Sequence, residues 1–106
     1  MAWILLLLAG MFEIVWASAM KLSAGFTRPV PTAAMIVFMF ASFFLLAGAM
    51  RTLPLGTAYA VWTGIGAVGA LVVGIAFFGE SASPMRLAAA AMIVGGIALM
   101  KLASTS

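Results

Sequence analysis

Glu13 stands in the middle of an unbroken apolar run, Ala2 to Met20. A helix through that run rises about 1.5 Å per residue, which carries the carboxylate to the middle of a bilayer. Inserting an acid there costs about 2.5–3.5 kcal/mol, on a scale whose tabulated acid is Asp. The only other acid is Glu80, and the chain has no Asp and no His. A lone acid at membrane depth reads as a site for a cation, a proton, or each in turn. Gly10, Glu13 and Ala17 share one helical face, so Gly10 and Ala17 leave space one turn to either side of the carboxylate. Trp16, one turn on, offers an indole N–H.

Other polar groups fall at similar depth. Ser42 is the only hydroxyl between Thr32 and Arg51. It either partners Glu13 or bonds the backbone of its own helix. Further on, Tyr59, Thr63, Gly66, Ala70 and Gly74 lie along one stripe, with Trp62 at its flank. Tyr59 and Trp62 are one turn apart, carry donors and share a small-residue face, which makes them candidates to line a cavity. Trp3, near the chain start, reads as an interfacial anchor. Gly64-Ile65-Gly66 is a point where a helix can kink.

These residues need elements to hold them. Of 106 residues, 67% are hydrophobic and 7% charged, which excludes an ordinary soluble domain. Four apolar runs, about 2–22, 32–50, 57–78 and 85–102, each approach the twenty residues of a spanning helix. The breaks carry turn chemistry at Gly25, Pro29 and Pro31, at Arg51 and Pro54, and at Gly79, Glu80, Ser81 and Pro84. The expectation is an all-α membrane protein, one domain over 1–106 with four transmembrane helices. Ala17-Ser18-Ala19 resembles a signal cleavage site, but Met1-Ala2-Trp3 lacks a basic residue and the apolar stretch would contain Glu13. There is no cysteine to indicate a redox compartment. Nothing suggests a nucleophile, a metal cluster, a phosphate loop or a cofactor. The five basic residues lie at helix ends, so the pI of about 10.3 speaks for loop anchoring and not for nucleic acid.

Four spans put Arg51 and Lys101 on one side of the membrane and Lys21, Arg28 and Arg86 on the other. Counting the α-amino group levels the two sides, so the positive-inside rule picks no orientation. Insertion both ways up is the expectation. So thin a chain cannot readily enclose a solvated path around Glu13, and oligomerisation is expected with it. Ala91 and Gly95 form a small-xxx-small pair, followed by Gly96, which lets helices approach closely within a dimer or within the chain.

The assembled pieces resemble the small multidrug resistance family of bacterial transporters along essentially the whole chain. They are Glu13, Lys21 closing its helix, Gly25-Phe26-Thr27-Arg28, Pro54 through Trp62, Gly64-Ile65-Gly66, and Phe77-Phe78-Gly79-Glu80. Trp16-Ala17 and Trp62-Thr63-Gly64-Ile65-Gly66 are most similar to the guanidinium-exporting subtype. That resemblance implies an antiparallel, dual-topology homodimer in the bacterial inner membrane, exchanging guanidinium or small substituted guanidinium cations for protons. It implies that Glu13 of both subunits binds cation or proton, that Trp16 and Ser42 hydrogen-bond Glu13, and that Tyr59 and Trp62 line and gate the cavity. The chemistry agrees. Guanidinium is planar and charged, and presents N–H donors to carboxylates in a fork.

Other functions compete. A promiscuous exporter of quaternary ammonium or polyaromatic cations is the first, although Trp16 would narrow such a site. A non-transporting scaffold or holin-like protein explains four helices but leaves Glu13 without a purpose. A hetero-oligomeric polyamine exporter would need a partner chain, which the balanced charges do not call for.

Overall fold

The computed structural model describes residues 1–104; Thr105 and Ser106, the end of the domain expected over 1–106, lie outside the described residues. Four helices follow one another: α1 (Ala2–Leu22), α2 (Pro29–Ala49), α3 (Leu55–Phe77) and α4 (Pro84–Ser104). All four are long and apolar enough to cross a membrane. At 1.5 Å per residue, 21 residues span about 31 Å, close to the hydrocarbon thickness of a bilayer.

α2 begins three residues earlier than expected. Pro29 and Pro31 were assigned to the loop, but proline is tolerated in a first helical turn, whose N–H groups have no intrahelical partner, and that is where the prolines sit. Pro84 opens α4 in the same way. The α1–α2 loop is organised by Ser23, which is fully buried. Its hydroxyl donates to the Met20 carbonyl at 2.6 Å and accepts the Phe26 N–H at 3.1 Å.

The helices form a slab of 46 × 34 × 16 Å. Its shortest dimension is little more than one helix diameter of about 10–12 Å. α1 packs most extensively on α2 and then on α3, while the main partner of α4 is α3. A small core, including Leu6, Ala9, Leu46, Ala49, Ala58 and Val61, fills one end of the α1–α2–α3 group. At that same end the Lys101 ammonium lies 4.7 Å from the centroid of the Trp3 ring, tying the end of α4 to the start of α1.

Glycines set the α1–α3 contact. A Cβ at Gly10 would collide with Ile65, one at Gly66 with Glu13, and one at Gly69 with Ile14. The paired numbers rise together, so α1 and α3 run parallel. Gly64 faces the other way, where a Cβ would press on Ile93 and Ile97 of α4. α3 is helical without interruption through Gly64-Ile65-Gly66. The two glycines expected to permit a kink are also close-packing points, one toward each neighbouring helix.

Candidate cation site

α1 delivers Glu13 half-buried into its contact with α3. The side chain lies directly over Gly66, where even a methyl group would overlap it. This contact fixes the carboxylate against backbone. Its Oε1 is buried and has no hydrogen-bond partner. The Trp16 Nε1–H, one turn along, is also buried and unpartnered. The two lie one turn apart on α1, Glu13 against Gly66 of α3 and Trp16 against Phe43 of α2. Each such buried group ordinarily costs about 1–3 kcal/mol if nothing meets it.

The expected bonds from Trp16 and Ser42 to Glu13 are not formed in this arrangement. Ser42 is fully buried. Its hydroxyl donates to the Ala9 carbonyl at 2.6 Å and accepts the Trp62 Nε1–H at 3.0 Å. A hydroxyl has one proton, and here it is committed to a backbone one turn before Glu13. The alternative expectation, that Ser42 bonds its own helix, also fails, because Ala9 belongs to α1. The chain Trp62–Ser42–Ala9 instead links α3, α2 and α1. In a regular helix the Ala9 carbonyl also accepts the Glu13 backbone N–H, so Ser42 holds the turn that carries Glu13.

Gly10 does not open space beside the carboxylate, since the Ile65 side chain fills that position. Ala17, on the other side, does border a cavity, with Ala70 opposite. Trp62 is buried, whereas Tyr59 is 53% exposed and Thr63 is exposed. The aromatic rings form a series. Tyr59 and Trp62 have centroids 5.6 Å apart, Trp62 and Phe43 5.8 Å, and Phe43 and Trp16 6.3 Å. Phe43 was absent from the residues singled out in the sequence. Its adjacency to Ser42 was the available clue, but α2 holds several phenylalanines and only tertiary contact distinguishes them. On α4, Ala91, Gly95 and Gly96 are exposed, and a Cβ at Gly95 or Gly96 would meet nothing within 4 Å.

The site can present a carboxylate to a cation, while the Trp16 indole N–H, a donor, can bond only the carboxylate. Among the described residues no cluster of His, Cys, Asp or Glu that could hold a metal is present.

Comparison with known proteins shows the family. The chain is 55% identical over 104 residues to the guanidinium exporter of Escherichia coli strain K12, covering 98% of this chain and 99% of the relative. It is 56% identical over 104 residues, with the same coverage, to the guanidinium exporters of Citrobacter freundii and Salmonella typhimurium. The family model for the small multidrug resistance protein matches residues 1–93, a stretch that holds Glu13, Trp16, Ser42, Tyr59 and Trp62, and the chain belongs to that family.

Proposed function

We propose that the protein exports guanidinium and small substituted guanidinium cations in exchange for protons, as an antiparallel, dual-topology homodimer in the bacterial inner membrane. The observation that carries this reading is the half-buried Glu13 carboxylate, held against Gly66 with an unpartnered oxygen, one turn from the unpartnered Trp16 N–H. The guanidinium exporters to which the chain is similar give the cation its class. A guanidinium fork donates two parallel bonds to a carboxylate. Two Glu13 carboxylates facing each other across a dimer hold it from both sides and titrate as a coupled pair. Proton and cation compete for the same acids, and that competition couples their opposite movements. Tyr59 and Trp62 supply π-faces along the approach, and the Trp16 indole N–H can donate to the Glu13 carboxylate. Transport of this kind breaks no covalent bond in the cargo.

The slab geometry supports the dimer. Its shortest extent is 16 Å, thin for one copy to surround a solvated path, and a second copy supplies a further wall. The open space in front of Gly95 and Gly96, where a Cβ would meet nothing within 4 Å among the described residues, suits a helix from that copy.

The test is a proteoliposome assay with a guanidinium gradient and a trapped pH-sensitive dye. Guanidinium entry should drive proton exit. Proton movement with a quaternary ammonium cation but none with guanidinium would transfer the assignment to the drug-exporting reading.

A further inference from the structure

Glu80 is the second of the chain's two acids, and the mid-membrane site does not use it. It lies just beyond α3, where Gly79 takes a left-handed φ of 71° and turns the chain back. The turn lets the Glu80 N–H donate to the Gly74 carbonyl at 3.1 Å. It also folds the Glu80 carboxylate onto Gly74, at a spot only a glycine leaves free.

That spot lies further along the α1–α3 contact that holds Glu13. Glu13, Ala17 and Lys21 succeed one another by four along α1, as Gly66, Ala70 and Gly74 do along α3. Gly66 and Gly74 are separated by about 12 Å of helix rise. Between the two rows is a cavity of about 150 Å³, bordered by Ala17, Ser18, Lys21, Ala70, Gly74 and Glu80. It begins one turn from Glu13 and ends at Glu80. The Ser18 hydroxyl gives its proton to the Ile14 carbonyl at 2.8 Å, so toward the cavity it can only accept. That suits a cation with donors alone.

The electrostatics of this end favour a role for Glu80 in entry. Lys21, Arg28 and Arg86 all lie here, and Glu80 is the one carboxylate among them. An approaching cation otherwise meets like charge. The carboxylate already holds a guanidinium, since Arg86 Nη2 is 2.7 Å from Glu80 Oε1, with Arg86 Nη1 donating to the Ser81 carbonyl at 2.8 Å. Both partners are part-exposed, at 36% and 42%, and exposed pairs of this kind hold weakly.

From this geometry we propose that Glu80 is a rim site for the transported cation, with Arg86 as a tethered occupant that the incoming guanidinium displaces before it passes along the α1–α3 groove to Glu13. The inference rests on the guanidinium-exporter reading. In an antiparallel dimer each face of the membrane would carry one such rim.

The two partners of the ion pair predict opposite results, which separates a rim site from a structural bridge. Initial rates of guanidinium transport would be measured in proteoliposomes against concentration, at low and high salt. Glu80→Gln removes the attracting charge and should raise KM by about fivefold at low salt, the effect of one unit charge at contact distance in water. The rate at saturation should not change, and the difference should shrink as salt rises. Arg86→Gln vacates the carboxylate and should lower KM. A bridge that merely holds the loop predicts that both substitutions impair transport alike, and that result overturns the proposal. So does an unchanged KM in both. If the wild-type protein moves no guanidinium at all, the exporter reading falls, and the comparison of variants is not what sinks it.

Discussion

Glu13→Gln keeps the shape of the side chain but removes its ability to trade a proton for a cation. The substitution should abolish guanidinium-driven proton movement in proteoliposomes, and retained coupling would disprove the central role of Glu13. Competition also fixes the direction of the pH effect. Protonated Glu13 cannot accept the guanidinium fork, so apparent affinity should fall as the medium is acidified. In the range where the acids take up protons, the loss approaches about tenfold per pH unit for each proton displaced. Guanidinium titrations followed by tryptophan fluorescence across pH would measure it, and an affinity independent of pH would show that proton and cation occupy different groups. Gly66 makes a separate prediction. A methyl group there overlaps the Glu13 side chain, so Gly66→Ala should push the carboxylate away and weaken guanidinium binding. Because the displaced group is a side chain and not backbone, the dimer should still assemble. Normal binding by Gly66→Ala would mean that Glu13 functions in a position other than against α3.

At the level of helices, the Trp62–Ser42–Ala9 chain joins three elements one turn before the carboxylate. Ser42→Ala leaves the Trp62 N–H unpartnered, and Trp62→Phe removes the same bond from the other end. Each loss costs about 1–3 kcal/mol if the group remains buried. The double variant should therefore be little worse than Ser42→Ala alone in guanidinium binding, since the bond that Trp62→Phe removes is already lost with the Ser42 hydroxyl. Strict additivity would show that Ser42 acts on Glu13 independently of Trp62. This network also marks what the sequence could reveal. Four runs of apolar residues were enough to locate four helices, because length and composition alone decide a span. Glu13 was legible for the same reason, as charge is rare at that depth. Which donor met which acceptor was not legible. Ser42 has carbonyls of two helices within its choice, and only the packing of α2 on α1 selects Ala9. The packing role of the glycines was not legible either. A Gly-x-Gly pair in the sequence does not say that Gly64 and Gly66 serve close approach in opposite directions. The start of α2 at Pro29 was missed because proline signals both a loop and a first helical turn.

The molecule as a whole carries its charges almost evenly at its two ends. Arg51, Lys101 and the α-amino group stand against Lys21, Arg28 and Arg86. Orientation follows the bias of Lys and Arg in short loops, and here the bias is close to nil. The slab's shortest extent is also only 16 Å. Both properties are met together if copies insert in opposite orientations and pair face to face. The measurable consequence is mixed topology. Reporter fusions after the last residue, Ser106, should read cytoplasmic and periplasmic in the same cells. Two lysines added to the α1–α2 loop should lock that end inward, and two added to the α2–α3 loop should lock the opposite orientation. Each locked copy alone should transport guanidinium poorly, because it lacks a partner of the opposite sense. Expressed together, the two should restore transport. Full activity from a single locked copy would rule out the antiparallel assembly, and a parallel dimer would then have to supply the second wall around Glu13.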